Sequence, residues 1–271
     1  KQMWENPATQ RNITQLKDDN ISILGPDSGE QACGEIGLGR MLEAEDLFSL
    51  IRAHFQPKIF KGKKLLITAG ATLEMIDPVR AITNLSSGKM GYAIAEAAFA
   101  MGAEVTLVTG ASTLKHPMGV KLISAPSAND MYQSVMHNIA TQDIFISVAA
   151  VADYSPAVSQ AQKIKKSKSS LTLELKPNKD ILAEVDSLPS PPFCVGFAAE
   201  TENLLEYAEA KRQSKKLPLI VANLMHDSMG QDENSVTLLD DKGVHALPRA
   251  SKNLVAEMLL KHISDMLKIQ Q

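Results

Sequence analysis

Cysteine, aromatic residues and long apolar runs are all scarce in this chain of 271 residues. Its two cysteines, Cys33 and Cys194, lie far apart, so no disulfide framework is expected and a reducing compartment is the default. The longest apolar runs, residues 65–71 and 144–152, fall well short of the ~20 residues that span a bilayer. The given N-terminus has no apolar stretch typical of a secretion signal. These absences predict a cytoplasmic location without membrane contact.

A surplus of positive charge is also missing. The chain has 28 Lys and Arg against 31 Asp and Glu, a formal net charge of −3 and a pI of about 6.1. Proteins dedicated to nucleic acid normally carry a basic surplus, so no nucleic-acid partner is expected. With 44% hydrophobic and 22% charged residues, the composition is that of a folded globular protein and excludes general disorder.

Residues 55–63 combine a proline, a glycine and several lysines, a composition typical of a boundary between modules. We therefore predict two domains, residues 1–60 and 61–271. Before this boundary, residues 25–41 contain five glycines and a proline, which we interpret as a loop. About 55 residues with so much loop cannot bury a core of their own, so this part must lean on the rest of the chain or on sequence upstream of it.

After the boundary, apolar strands alternate with amphipathic helices. This pattern predicts an α/β fold: a doubly wound, Rossmann-like, mostly parallel sheet with helices on both faces, plus the N-terminal loop-rich remnant of a second domain. The predicted strands are residues 64–69, 104–109, 120–124, 144–150, 193–198 and 219–222, with an exposed antiparallel strand at 171–175 and a hairpin at 236–247. The predicted helices are residues 89–101, 128–141, 178–186, 202–215 and 251–267.

In such a sheet, ligands bind beyond the carboxyl ends of the strands, which directs attention to residues 68–72, 84–91, 149–154 and 196–201. The helix predicted from residue 89 starts in a run of serine and glycine. Free backbone N–H groups there, together with the charge of Lys89, favour a phosphate or carboxylate site over an ordinary serine-capped turn. The residues assigned to it are Ser86, Gly88, Lys89, Met90 and Gly91.

Other strand ends offer weaker signals, each with an ordinary structural alternative. Asp153 is placed to accept a hydrogen bond from a ribose hydroxyl or to bind a phosphate-bridging metal, but aspartate also caps turns. The basic run at residues 163–168 is placed to close over a polyphosphate, although such runs are usually solvated. Phe197 is either core or a flat surface for a base. Lys211 and Lys215 share one helix face, where they either hold a nucleotide or only aid solubility.

Two rival functions are considered, and the motifs present disfavour the first of them. A dinucleotide site is expected to show a G-x-G-x-x-G turn and an acidic residue after the second strand that binds a ribose diol; neither is found, which disfavours an NADP-dependent oxidoreductase. A Walker loop is also missing. A non-enzymatic flavodoxin-like binding module is the other alternative function.

The six histidines have no zinc-like spacing, so metal ligands stay unassigned. Cys194 is interpreted as inert core, and Cys33 as the better candidate for chemistry.

Taken together, residues 67–72, 77–91, 149–154, 163–166 and 196–201 resemble bacterial phosphopantothenoylcysteine synthetases, the C-terminal half of bifunctional coenzyme A biosynthesis proteins. The resemblance runs in order from about residue 63 to the C-terminus, and the string at residues 84–91 is its most specific part. Ala71 departs from the family, which usually has proline there. This change softens a turn and touches no reactive group.

The resemblance implies a CTP-driven ligation of 4′-phosphopantothenate with L-cysteine through an acyl-cytidylate, with Mg²⁺, in a homodimer. Asn84 would orient the acyl group, and Lys163 would meet the phosphates. Residues 79–85 and 171–175 are candidates for subunit contact. The nucleotide site would consist of Ser147, Val148, Ala149, Asp153, Lys163, Lys179, Asp180, Ile181, Leu182, Phe197, Lys211 and Lys215. The anion site at Ser86 and its neighbours would hold the phosphate of phosphopantothenate. Base selectivity, CTP against ATP, stays open.

The N-terminal part resembles the tail of a flavin-dependent phosphopantothenoylcysteine decarboxylase. Residues 26–35 are similar to its substrate-covering flap, in which the position of Cys33 supplies the proton donor. The resemblance places the FMN-binding body upstream, outside this chain. We therefore expect a fragment, or the ordered part, of a longer polypeptide that forms a higher oligomer when the decarboxylase domain is present.

Overall fold

The computed structural model describes residues 1–31, 34–166, 170–224 and 232–269, and it divides the chain into two units, Lys1–Gln56 and Pro57–Gln271. The first unit contains α1 (Gln2–Glu5), α2 (Pro7–Asp18), β1 (Asp27–Glu30), β2 (Ile36–Arg40) and α3 (Ala44–Phe55).

The glycine-rich segment of the first unit is a hairpin, so its interpretation as a loop is wrong. Strands β1 and β2 pair antiparallel, with Gly29 opposite Gly37. A ladder needs only backbone hydrogen bonds, and these form although the side chains give no alternating apolar signal. Helices α1 and α2 bury no residue, and α3 buries only Ala53. As expected from its size, this unit has almost no core of its own.

The second unit alternates strands and helices. Its strands are β3 (Lys64–Ala69), β4 (Leu73–Asp77), β5 (Arg80–Thr83), β6 (Glu104–Thr109), β7 (Lys121–Ser124), β8 (Ile144–Ser147), β9 (Tyr154–Pro156), β10 (Leu175–Pro177), β11 (Phe193–Glu200), β12 (Leu219–Leu224), β13 (Glu233–Asn234), β14 (Thr237–Asp240), β15 (Gly243–Ala246) and β16 (Ala250–Ser251). Its helices are α4 (Lys89–Ala100), α5 (Ala128–Asn138), α6 (Ile181–Asp186), α7 (Leu204–Ser214) and α8 (Lys252–Ile269), with a short 3-10 helix at Ile139–Thr141.

Eight of these strands form one sheet in the order β15-β14-β12-β11-β8-β3-β6-β7. The pairs from β12 through β7 are parallel, and β14 and β15 add an antiparallel edge. The first strand of the sheet, β3, lies between β8 and β6, so the strand order reverses there. The predicted doubly wound fold is confirmed.

Both faces of the sheet are covered by helices. On β3, Leu65 and Ile67 pack into one apolar cluster with α4 and α8, whereas Leu66 points to the other face and packs with α5 and α6. Each of these three side chains is fully buried, and full burial of a leucine or isoleucine contributes about 1.5–3 kcal/mol. This two-sided burial is the reason why the strand is apolar throughout. Within the described residues, no helix combines the length and apolar character that crossing a membrane requires.

Several predicted elements differ in extent from the structure, and three of these differences bear on the site or on the surface near it. The helix predicted to reach residue 141 ends at Asn138 and tightens into the 3-10 turn. The strand predicted over residues 144–150 ends at Ser147. The strand predicted at residues 171–175 is shifted, because only β10 pairs, antiparallel to β9, with Leu175 opposite Pro156. The β4–β5 hairpin was not predicted; it follows the first strand directly, where a doubly wound fold ordinarily continues into a helix.

Helix α4 lies unusually close to β3. A Cβ atom added to Gly91 would stand 2.5 Å from the Cβ of Ala69 and 3.2 Å from the Thr68 carbonyl oxygen. Any side chain at position 91 would therefore push the first turn of α4 away from the end of β3. Packing therefore requires glycine at this position, although inside a helix alanine is otherwise preferred by about 1 kcal/mol.

We expect Gly91→Ala to lower the free energy of unfolding by about 1–3 kcal/mol, the usual cost of overpacking a core. Urea denaturation of the variant measures it. The same change made in an Ala69→Gly background should cost less, because the opposing methyl group is gone. An equal cost in both backgrounds would contradict this account of the contact.

Candidate functional site

A cleft of about 720 Å³ opens at the carboxyl ends of β3, β8, β11 and β12. Its walls combine strand ends with the start of α4 and the segment leading into α6. This is the position that the topology of an open parallel sheet favours for a ligand, beside the strand where the order reverses.

The cleft brings together most of the residues proposed from the sequence. Those assigned to the nucleotide that line it are Ser147, Val148, Ala149, Asp153, Lys179, Asp180, Ile181, Leu182, Phe197, Lys211 and Lys215. Those assigned to a substrate phosphate that line it are Ser86, Gly88, Lys89, Met90 and Gly91. Asn84 and Lys163 are not among the lining residues. Cys33 lies outside the described residues.

Two buried threonines shape the wall that follows β8. The hydroxyl oxygen of Thr68 accepts from the N–H groups of Val148 and Ala149 at 3.2 and 3.3 Å, and that of Thr72 accepts from the N–H of Ala152 at 3.0 Å. These bonds interrupt the backbone ladder after Ser147, where β8 ends, and a single parallel bridge between Ala71 and Ala150 follows. The backbone then turns across the cleft with these three N–H groups satisfied.

Asn84 lies directly behind this wall. Its Nδ2 donates to the Ala150 carbonyl oxygen at 3.0 Å, and Ala150 lines the cleft. Asn178 makes the corresponding bond from the other side, donating from Nδ2 to the Ala152 carbonyl oxygen at 2.8 Å. Asn84 is therefore adjacent to the cleft, exposed, and fixed at one end of its amide.

Lys163, which is exposed and does not line the cleft, precedes Ile164, whose backbone is bonded to the β4–β5 hairpin. The N–H of Ile164 donates to Oδ2 of Asp77 at 3.2 Å, and its carbonyl accepts from Arg80 at 3.0 Å. Asp77 also pairs with Arg80 across the β4–β5 hairpin, and its pKa lies well below the usual range because the Arg80 guanidinium bonds to it. These contacts attach the segment containing the exposed Lys163 to the hairpin.

The start of α4 presents an uncapped helix terminus to the cleft. Gly88 occupies the N-cap position in the left-handed region, φ +78°, and no side chain caps the helix. A Cβ at position 88 would lie 3.1 Å from the backbone of Gly70, so glycine suits both the conformation and the close approach. Oγ of Ser86 accepts from the N–H of Gly88 at 3.4 Å, so this serine caps the turn before α4 but not the helix itself. The N–H groups and the helix dipole are left to attract an anion.

Lysines of α7 line the cleft near the start of α6. Asp180 caps α6 by accepting from the N–H of Ala183 at 3.0 Å, and it pairs with Lys215. Burial raises the pKa of Asp180, but the bond from Lys215 and the Ala183 N–H outweigh it, and the pKa is lowered. Lys211 donates to the Phe197 carbonyl oxygen at 2.8 Å, and its pKa is lowered by burial and then by Lys215. An anion bound here would offset both effects.

Comparison with known proteins identifies both parts of the chain. Residues 60–267 match the DNA/pantothenate metabolism flavoprotein C-terminal domain, and residues 1–56 match a flavoprotein domain. The chain is 47% identical to the coenzyme A biosynthesis bifunctional protein CoaBC of Vibrio vulnificus, over 98% of this chain and 68% of that protein. The chain belongs to the CoaBC family.

Two further relatives agree with this assignment. The CoaBC of Escherichia coli K12 is 44% identical over 97% of this chain and 67% of its own length. The crystal structure of the C-terminal domain of a CoaBC superposes with a TM-score of 0.68 at 42% identity, covering 78% of this chain and 98% of that one.

Sequence reasoning missed several residues of this CoaBC-family cleft, among them Asn223, Asn234 and Lys252. Lys252 is only 7% exposed, and its pKa is lowered by burial and then by the nearby charge of Lys89, which itself pairs with Asp232 at 2.6 Å. Oδ1 of Asn234 is buried and has no hydrogen-bond partner among the described residues. Asn223 follows the strand predicted at residues 219–222, which was the one available signal, whereas Asn234 and Lys252 come from the far C-terminal part of the chain.

We expect Lys252→Gln to weaken binding of inorganic pyrophosphate about 10–100-fold, since a hydrogen bond to a charged group is worth about 1.5–3 kcal/mol. Isothermal titration calorimetry measures the dissociation constant. Lys261→Gln, on an exposed position of the same helix, is the matched control and should leave it unchanged. An unchanged constant in Lys252→Gln, or an equal loss in the control, would contradict the assignment.

Proposed function

We propose that residues 57–271 ligate 4′-phosphopantothenate to L-cysteine at the expense of CTP, the ligase step of coenzyme A biosynthesis. Membership of the CoaBC family supports the reaction. The observation that carries the proposal is the cleft itself, in which an uncapped helix terminus and buried or half-buried lysines line one space beyond four strand ends. Such a site suits a substrate pair that carries a monophosphate and a triphosphate.

The cytidine nucleotide would occupy the side formed by the end of β8, the start of α6 and the lysines of α7. Lys211 and Lys215 both have a carboxylate or carbonyl partner at rest, which holds their ammonium groups at the cleft. The monophosphate of phosphopantothenate would lie at the start of α4, on the N–H groups after Gly88 and beside Lys89. This arrangement leaves the carboxylate of the substrate between the two phosphate sites.

The reaction follows from the weak electrophilicity of a carboxylate. Its oxygen attacks the α-phosphorus of CTP, which breaks the bond to the β-phosphate and releases pyrophosphate. The amine of cysteine then attacks the acyl carbon of the mixed anhydride, and CMP leaves with the acyl C–O electron pair while the amine loses a proton. Asn84 would orient the acyl group and donate to its carbonyl oxygen as charge develops there.

Mg²⁺ would be held by the phosphates of CTP and by Asp153, which brings a carboxylate into the cleft while that of Asp180 is engaged by Lys215 and the Ala183 N–H. An Mg²⁺ ion bound there would neutralise phosphate charge. Lys179 stands 4.0 Å from the centre of the Tyr132 ring, a cation–π contact that fixes it at the same edge.

The position of Lys163 outside its own cleft is consistent with a homodimer, in which such a segment serves the partner's site. The β4–β5 hairpin that holds this segment carries exposed apolar side chains, among them Val79, and Leu85 follows at 84% exposure. The segment before β10 adds Leu171 and Leu173, both exposed. Large exposed apolar side chains on these segments favour a protein interface.

Residues 1–56 are proposed as the C-terminal tail of a decarboxylase domain, with Cys33 as its proton donor. A flavin ring needs an enclosed apolar pocket, and among the described residues of this unit Leu42 and Ala53 are the buried hydrophobic ones. The unit by itself therefore does not fit FMN, and no flavin step is derived for it. The FMN site of the whole family protein belongs to its flavoprotein domain. A cytoplasmic location stays a prediction.

The rival functions are distinguished by one measurement. An NADP-dependent oxidoreductase would bind NADPH and not CTP, and a flavodoxin-like binding module would bind a ligand without chemistry. Release of pyrophosphate from CTP that depends on phosphopantothenate, measured with and without cysteine, tests the proposed function. Tight NADPH binding without CTP turnover would overturn it.

We expect Lys163→Gln to lower kcat about 100-fold or more, because a charge-stabilising donor to the phosphates is lost. Pyrophosphate release at saturating substrates measures it, with circular dichroism to verify the fold. Lys165→Gln, in the same basic run, is the control and should retain activity. An unchanged kcat in Lys163→Gln would reject its role.

For Asn84→Asp we expect the acyl-cytidylate step to survive better than transfer to cysteine, since the amide donates to the carbonyl oxygen during amine attack. Single-turnover rates of pyrophosphate release and product formation separate the two steps. Asn178→Asp makes the same chemical change on the neighbouring carbonyl and should lower both rates alike. Equal losses in Asn84→Asp would count against the proposed role.

A further inference from the structure

Two histidines and an aspartate meet at the edge of the large sheet opposite the cleft. Nε2 of His245 lies 3.1 Å from Oδ1 of Asp240, and Nε2 of His262 lies 2.9 Å from Oδ2 of the same carboxylate. The two imidazole rings are 4.9 Å apart between centroids. We call these three residues the edge cluster. Their ligand atoms all lie within 4.8 Å of one another.

The carboxylate of the edge cluster is fixed before any ligand arrives. Asp240 ends β14, is 5% exposed, and accepts at Oδ1 from the N–H groups of Lys242 and Gly243 at 2.8 and 3.1 Å. These backbone bonds hold one oxygen and leave the lone pairs of the other directed at His262. A metal-binding carboxylate is typically oriented by such outer hydrogen bonds.

The two imidazoles reach Asp240 from different elements. His245 lies on β15, in register near Leu238, and His262 lies on α8. Both rings are partly exposed, so a cation has a path to their nitrogens. The sequence showed no zinc-like histidine spacing, because the ligands come from a tight hairpin and a helix that follows it and converge only through packing.

We propose that the edge cluster is a Zn²⁺ site, with Nε2 of His245, Nε2 of His262 and a carboxylate oxygen of Asp240 as ligands. Imidazole nitrogen with carboxylate oxygen is a donor set that suits zinc and not calcium or magnesium. Bonds of about 2.0–2.2 Å in a tetrahedron place the ligand atoms roughly 3.3 Å apart, close to the N···O separations present. Each imidazole would keep its proton on Nδ1, and water would complete the coordination.

The proposed site is independent of the ligase cleft. Leu239, next to Asp240, pairs with Ile220, whereas the cleft residue Asn223 lies three residues further along β12. At about 3.3 Å per residue this places the edge cluster roughly 13 Å along the sheet from Asn223. Zinc there would clip the edge strand β15 to α8 and stabilise the hairpin, without a part in the ligation.

The test uses the full chain, freed of metal with a chelator and then titrated with ZnCl₂ in a calorimeter. We expect one Zn²⁺ per chain at this site, a rise in Tm on adding zinc, and with Co²⁺ the visible absorption of a tetrahedral ion. His262→Gln and Asp240→Asn should each weaken zinc binding at least tenfold, since even outer-shell changes cost 10–100-fold. Asn at position 240 can still accept from the turn N–H groups, which guards against misfolding.

His137→Gln, which removes an exposed histidine far from the edge cluster, is the matched control and should bind zinc as the unaltered chain does. Pyrophosphate release by each variant verifies its fold separately, so failure of the ligase proposal and failure of the zinc proposal are distinguishable. Absence of zinc binding to the unaltered chain, or equal binding by His262→Gln, would overturn the proposal and leave a hydrogen-bonded clasp.

Discussion

The contact between the start of α4 and the end of β3 is the constraint on which the site depends. Gly91 lets the helix backbone lie directly on Ala69, and Gly88 lets the turn before the helix pass against Gly70. With the helix terminus this close to the strand end, its N–H groups face into the space where β8, β11 and β12 also end. A wider separation would leave the same residues facing solvent instead of a cleft.

Around this contact, side chains take over the hydrogen bonds that regular structure gives up. Thr68 and Thr72 hold the backbone after β8, while Asn84 and Asn178 hold its carbonyl groups. The result is an irregular wall whose backbone is held by side-chain hydrogen bonds. Lysines then collect on the remaining sides, and their lowered pKa values at Lys211 and Lys252 reflect burial and mutual repulsion that a bound polyphosphate would relieve.

Local patterns predicted the regular elements well where burial is two-sided. Strand β6 is found at the predicted residues 104–109, because a short apolar run between polar ends indicates a strand buried on both faces of a sheet. The β4–β5 hairpin and the β1–β2 hairpin were missed because their side chains are mixed in polarity and their pairing rests on the backbone. Cys194 was interpreted as inert core, and it is buried, with its pKa raised by that burial to about 12.

The sequence alone determined the fold class, the family and most of the cleft, because strand ends carry small residues, hydroxyls and glycines whose types depend on local geometry. Only the tertiary structure decided that Lys252 and Asn234 join that cleft, that Lys163 is held on the β4–β5 hairpin, and that His245 and His262 share one carboxylate. Each of these depends on packing between elements that are distant in the chain, and the spacing of residues in the sequence does not reveal such contacts.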